Sequence, residues 1–232
     1  FFDDCWNNNY SAGKQPEPKV GIHNSGWVQD PGQLIYDQPE LVTDLEVYVK
    51  DVMQHFANDS RILLWDVYNE PGNSGYGNKS LPLLKKIFQW GREVNPSQPL
   101  SAGVWNNSLT TLNKFQLENS DIITYHNYGD SSNHAHMIDT LKQYGKPMLC
   151  TEYMARTRNS TFQDIMPMLK ANNIGAYNWG LVAGKSNTIY EWDTPIESGA
   201  EPEVWFHDIF RQDGSVYSQE EVDLIKELTS TE

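Results

Sequence analysis

Arg61-Ile-Leu-Leu-Trp-Asp-Val-Tyr-Asn-Glu-Pro71 is the stretch on which the reading of the fold depends. Its continuous apolar run, Ile62 to Trp65, has the pattern of a strand buried on both faces of a parallel sheet. It stops abruptly at Asn69-Glu70-Pro71-Gly72, where Pro71 forbids further ladder pairing and Gly72 turns the chain away. A carboxylate held at the carboxyl end of a buried strand is where parallel α/β folds keep their chemistry. Taken alone, the segment fits an ordinary strand-ending turn with a solvated glutamate equally well. The rest of the chain decides between the two.

The same pattern recurs along the sequence. Phe1 to Trp6 reads as a strand ending in Asp3, Asp4 and Trp6, followed by a long polar loop through Gly21–Trp27 and Asp30-Pro31-Gly32. Leu41 to Ala57 is an amphipathic helix with Leu41, Leu45, Tyr48/Val49, Val52/Met53 and Phe56 on one face. After the opening strand, Ser80 is expected to cap a helix carrying Leu83, Leu84, Ile87 and Phe88. Pro99 to Trp105 is a third strand, and a short helix near Thr111 to Leu117 precedes a fourth, Asp121 to Tyr128. His134 to Tyr144 is helical. Pro147 to Tyr153 is a fifth strand, ending in Glu152. Thr161 to Asn172 is a helix that Pro167 should kink or shift. Gly175 to Gly180 is a sixth strand, ending in Trp179, and Ser218 to Glu221 reads as a capping box opening the last helix.

Strand and helix alternate, with no repeat and no linker to divide the chain, so residues 1–232 are expected to form a single catalytic domain with a parallel sheet. Each polar and aromatic cluster falls at a strand's carboxyl end, so all of them gather on one face. That is the pattern of a (β/α) TIM-type barrel. A doubly wound open sheet is the competitor, but no glycine-rich dinucleotide fingerprint follows a strand.

Composition bounds the function. The net charge of −14 disfavours nucleic acid and membrane surfaces as partners, and no segment reaches the ~20 apolar residues of a membrane span. Eight Trp and 12 Tyr stand largely beside Asn, Asp and Gly. Sugar clefts use this mixture, because aromatic faces pack on pyranose C–H groups while amides and carboxylates take the hydroxyls. The same aromatics also serve plain packing. Cys5 and Cys150 fit neither zinc nor redox spacing and read as buried free thiols.

Glu70 and Glu152 are the candidate catalytic carboxylates. Glycoside hydrolysis needs such a pair, one acid to protonate the leaving oxygen and one carboxylate to attack the anomeric carbon or activate water. Asn69 can hold a sugar hydroxyl. His126 and Tyr128 lie two apart on one strand, point the same way and can orient a neighbouring carboxylate. Trp179 can floor the subsite of the reacting sugar. Trp6, Trp27, Trp105 and Trp192 are candidate platforms or plain packing residues, and Asp4 either binds a sugar hydroxyl or caps the following loop. No metal site and no organic cofactor are expected.

Asn69-Glu70-Pro71, His126-x-Tyr128, Thr151-Glu152-Tyr153 and Asn178-Trp179 stand in the order and strand context of the retaining clan A glycoside hydrolases. The chain most resembles the family 5, cellulase-like enzymes. The resemblance runs from Phe1 to about Gly180 and loosely through Trp205–Phe210. It implies Glu70 as acid/base, Glu152 as nucleophile, Asn69 on the 2-hydroxyl, His126 and Tyr128 beside the nucleophile, and Trp179 in the reacting subsite. The implied substrate is a β-linked plant-type glycan or oligosaccharide, xylan or β-1,4-glucan first.

The chain departs from that family in having six visible strands rather than eight. Aligned by the motifs they correspond to strands three to eight, without the arginine commonly placed near the nucleophile. A barrel truncated to about six βα units would leave apolar strand edges, so a homodimer or higher homo-oligomer is expected. The alternative function is a catalytically impaired carbohydrate-binding barrel, although a pure binder has no use for Glu152. An esterase is disfavoured by the lack of a G-x-S-x-G elbow. The expected location is secreted or periplasmic, although no signal peptide is legible before Phe1-Phe2-Asp3-Asp4.

Overall fold

A computed structural model of the chain describes residues 1–7 and 13–230; residues 8–12, the start of the polar loop after Trp6, lie outside the described set. The chain divides into two compact units, Phe1–Asn9 with Val28–Tyr125 and Tyr10–Trp27 with His126–Glu232, each taken by itself below.

The first unit is built on short parallel strands. These are β1 (Phe2–Asp3), β2 (Trp65–Asp66), β3 (Tyr68–Asn69), β4 (Leu100–Ser101) and the start of β5 (Ile123–His126). β2 and β3 are two pieces of one extended segment. Phe2 stands opposite Tyr68 in the β1–β3 pair, and Trp65 opposite Leu100 in the β2–β4 pair. The Trp65 amide donates to Pro99 O at 2.9 Å and the Val67 amide to Ser101 O at 2.8 Å. Val104 then pairs in parallel with Tyr125. The outer edge of β1 is not bare, since Asp3 and Asp30 exchange backbone hydrogen bonds of 2.7 and 3.0 Å.

The expectation that Ile62–Trp65 is buried on both faces is corrected. Leu63 is 63% exposed, whereas Val67 and Tyr68 are fully buried. The reason is local. Asp59 turns the chain, taking the Arg61 amide on its side chain and the Ile62 amide on its carbonyl. The segment therefore enters the ladder only at Trp65. Its buried part is displaced toward the strand end that carries Glu70.

Helices α1 (Leu34–Asp37), α2 (Leu41–His55), α3 (Leu81–Val94) and α4 (Thr110–Asn119) complete this unit. The short α1 was not anticipated. α2 buries Val49 and Met53 completely, but Tyr48 is half-exposed, edge-on to Phe1. These two residues join Val67, Tyr68, Leu84, Ile87, Trp90, Leu100 and Leu112 in one core. Ser80 does not cap α3 through its side chain. A 3-10 turn, Gly77–Ser80, leads into the helix instead, and the hydroxyl is used elsewhere.

The second unit contains β6 (Met148–Tyr153), β7 (Gly175–Asn178) and helices α5 (Ser131–Lys142), α6 (Phe162–Ala171) and α7 (Gln219–Thr229). β6 and β7 run parallel, with Leu149 opposite Gly175 and a register irregularity before Tyr153 meets Asn178. Asp130 and Thr161 cap α5 and α6, and α6 continues through Pro167. Of the capping box before α7, half forms. Ser218 accepts the Glu221 amide, while the Glu221 carboxylate turns to Arg156 in a two-pronged pair at 2.9 and 2.6 Å. Arg156 also donates to Trp205 O and Asp208 O. Both partners of this pair are buried, so losing either strands a charge. Both cysteines are free and buried, as expected.

Of the four buried histidines of this unit, His23, His126, His134 and His207, three have imidazoles shifted by burial: His23, His134 and His207. Burial holds their imidazoles below the ordinary value, at about 4 for His23 and His134 and about 3 for His207. Each is neutral when folded but takes up a proton when unfolded below pH ~6.5. Their contribution is fully present above that pH and is lost as pH falls toward 4. Buried Asp4 and Asp208, whose carboxyls burial raises, act in the opposite sense, so the histidine share is isolated by difference. We predict that replacing His134 by Gln flattens the fall of unfolding free energy between about pH 6.5 and 4.5 by up to one proton, about 1.4 kcal/mol per pH unit. Denaturant titrations across that range measure it. Parallel slopes for wild type and variant would refute it.

Candidate active site

Glu70 follows the last residue of β3 and adopts φ +44°, a left-handed conformation costly for a side-chain-bearing residue. Two residues on, Gly72 has φ +86°, and a Cβ there would stand 2.6 Å from Leu112 Cδ1. The turn thus needs glycine twice over. It is closed by the Asn73 amide on Glu70 O at 3.1 Å.

Asp4, from the chain just beyond β1, supports this turn from beneath. It is 4% exposed. Its Oδ1 accepts the Tyr68 hydroxyl at 2.8 Å, and its Oδ2 accepts the Gly72 amide at 2.7 Å and the Ser80 hydroxyl at 2.5 Å. Burial raises the Asp4 carboxyl above its ordinary value, and these three donors pull it back. This corrects two expectations. The loop after β1 is capped by Asp3, whose Oδ1 takes the Cys5 amide at 2.7 Å, and Ser80 serves Asp4 instead of α3.

Glu70 Oε2 accepts Asn73 Nδ2 at 2.5 Å and the Cys5 thiol at 3.1 Å. Asn69 Nδ2 donates to Cys5 Sγ at 3.6 Å, so it lies beside Glu70 as its sequence position suggests. Trp105 donates from Nε1 to Pro71 O at 3.1 Å, which fixes its half-buried ring over the turn. Trp6 is 37% exposed, with its carbonyl tied to Gln29.

In the second unit, Glu152 lies one residue before the end of β6. Its Oε2 accepts the Tyr128 hydroxyl at 2.7 Å and lies 3.4 Å from His126 Nδ1. The Asn127 amide donates to the Glu152 carbonyl, locking the strand end beneath. His126 and Tyr128 therefore converge on one carboxylate oxygen, as their two-residue spacing requires. Trp192 stands edge-on to Tyr128 at 4.9 Å and to Phe206 at 4.7 Å. The buried His207 ring packs 5.4 Å from Tyr128 and donates from Nδ1 to Met154 O at 2.6 Å. The Arg158 guanidinium lies 5.7 Å over Trp192. Half-buried Trp179 meets the exposed Trp27 edge-on at 5.3 Å.

Sequence reasoning missed Cys5, Asn73 and Ser80 around the first glutamate, and His207 and Arg158 around the second. Asn73 carried a signal, three residues after Glu70 in a turn. The others come from distant segments, with no local pattern to mark them.

Solved structures share this fold. The β-glucuronidase of Faecalibacterium prausnitzii aligns with a TM-score of 0.55 at 13% identity, over 79% of this chain and 34% of that one. A glycosylated family 10 endo-β-1,4-xylanase of Gloeophyllum trabeum gives 0.54 at 17%, over 82% and 68%. The native form of CbXyn10B gives 0.58 at 13%, over 93% and 77%. No curated protein matches in sequence. Parallel strands with these neighbours define an α/β barrel-type fold. The profile of Cellulase (glycosyl hydrolase family 5) matches residues 20–185, and the chain belongs to that family.

The buttress under Glu70 gives a stability prediction. Replacing Asp4 by Ala leaves the Tyr68, Ser80 and Gly72 donors buried without their acceptor, at a cost of about 1–3 kcal/mol or more. A urea midpoint equal to wild type would show that the turn does not depend on Asp4.

Proposed function

We propose that the protein is a retaining glycoside hydrolase that cleaves β-linked glycans or oligosaccharides by double displacement. Glu152 is the nucleophile and Glu70 the acid/base. The observation that carries this reading is the hold on Glu152 Oε2 by the Tyr128 hydroxyl and His126 at the end of a parallel strand. A phenol donating to a carboxylate stabilises its anion and fixes its direction, which a nucleophile needs. Membership in the cellulase family supports the assignment.

In the first step Glu152 attacks the anomeric carbon while Glu70 gives its proton to the departing glycosidic oxygen. A covalent glycosyl-enzyme results. Glu70, now a carboxylate, takes a proton from water, which attacks the same carbon and frees Glu152 with net retention. This course requires the carboxyl groups about 5–5.5 Å apart across the reacting sugar. Asn69 takes the 2-hydroxyl, Trp179 floors the reacting subsite, and Trp6 and Trp105 serve as further platforms. The chemistry calls for no metal or organic cofactor.

The family description and the xylanase among the structural neighbours support β-1,4-glucan or xylan as substrate, and a secreted or periplasmic location accords with either. We assign the strands to six of the eight βα units of the barrel, with β2 and β3 as one strand. β7 ends its sheet with Ala176 and Tyr177 exposed, and a second copy of the chain is the partner we assign to that edge.

Aryl β-xyloside, glucoside, cellobioside and mannoside form the test panel. At least one is expected to turn over in wild type and to fall to background in Glu152→Ala. Azide should then yield a glycosyl azide of inverted configuration. Oligosaccharide binding with no turnover on any panel member would establish a binding barrel instead.

A further inference from the structure

We infer that Cys5 is a positioning residue for the acid/base: its thiol, together with the Asn73 amide, holds Glu70 Oε2. The inference rests on the acid/base role proposed above for Glu70.

The geometry is specific. Cys5 Sγ lies 3.1 Å from Oε2 and Asn73 Nδ2 lies 2.5 Å from the same atom. Asn73 belongs to the same turn as Glu70 and moves with it. Cys5 lies two residues beyond β1, so its bond ties the carboxylate to a second segment of the chain. The thiol is 5% exposed. Burial, with Glu70 and Asp3 nearby, pushes its pKa far up, so it remains S–H and acts as a donor. Its sulfur in turn accepts from Asn73 Nδ2 at 3.2 Å and Asn69 Nδ2 at 3.6 Å, which orients the S–H outward to the carboxylate.

In the first step the Glu70 carboxyl O–H bond breaks, the proton passes to the glycosidic oxygen, and that oxygen keeps the electron pair of its broken bond to the anomeric carbon. The charge left on Glu70 is met at Oε2 by the thiol and the amide already donating there. In the second step the carboxylate takes a proton from the attacking water. A buried cysteine acting only as a small apolar filler would have no such tie to the reaction.

The test compares kcat/KM on glycosides with poor leaving groups and with a dinitrophenyl leaving group, which departs without protonation. Wild type, Cys5→Ala, Cys5→Ser, Cys5→Val and Glu70→Ala are measured, on the sugar the wild type hydrolyses. Cys5→Ala is expected to lose about tenfold on poor leaving groups, a fraction of the full general-acid contribution, with KM unchanged and the dinitrophenyl substrate nearly unaffected. Cys5→Ser, which keeps a donor, should recover most of that loss. Cys5→Val, matched in volume without a donor, should behave like Ala and carries the test if Ala does not fold. Equal losses on both leaving groups, or Ser no better than Val at similar thermal midpoints, would overturn the role of Cys5. Glu70→Ala without a leaving-group-dependent loss would instead overturn the acid/base assignment itself.

Discussion

The buried carboxylate of Asp4 is the constraint on which the Glu70 side of the site depends. A left-handed glutamate followed by Pro and a left-handed glycine is not a conformation the chain adopts unaided. Three donors from three places converge on Asp4: a strand hydroxyl, a turn amide and the serine before α3. Each would be costly to leave unpaired in the interior. Together they outweigh the strain and the burial of the charge. Glu70 is thereby fixed by its backbone before its side chain meets any partner.

The two glutamates are held in chemically different ways. Glu152 accepts from a phenol and lies beside an imidazole, groups that stabilise a carboxylate and leave a directed anion. Glu70 accepts from a neutral amide and a neutral thiol, weaker donors suited to a group that must alternate between acid and anion. Unequal environments of this kind are what let two carboxyls take separate roles. That difference, with family membership, supports the proposed assignment of acid/base and nucleophile.

The sequence made much of this legible because the informative residues sit at strand ends, where periodicity stops and Pro or Gly intervenes. The alternation of strand and helix, the parallel pairing, and the common direction of His126 and Tyr128 are readable from spacing, while Glu152 as the carboxylate they meet is what the family resemblance implies. The burial of Ile62–Trp65 was misjudged because an apolar run says nothing about where ladder bonding begins, and here Pro99 O decides that. Ser80 was misread for a related reason. A serine before an amphipathic run is a cap by local statistics, but a buried carboxylate 76 residues away competes for its hydroxyl and wins. The Cys5–Glu70 bond joins residues 65 apart, and no local pattern could have announced it.

The second unit links its chemistry to its stability. The side chain that orients Glu152, Tyr128, packs against Trp192 and His207, and burial, with His23 and Arg156 nearby, keeps His207 neutral well below the pH at which a free imidazole takes up a proton. Acid that charged this histidine would have to open the packing behind Tyr128, releasing the phenol from Glu152. A nucleophile also requires its carboxylate ionised, so acid acts against the proposed reaction twice: by protonating the carboxyl and by loosening its support. The second effect is cooperative, because His23, His134 and His207, all held below the ordinary imidazole value by burial, share the unit. Unfolding of the second unit therefore contributes to the acid limit of such a site. A single substitution at the carboxylate's neighbours would not extend it.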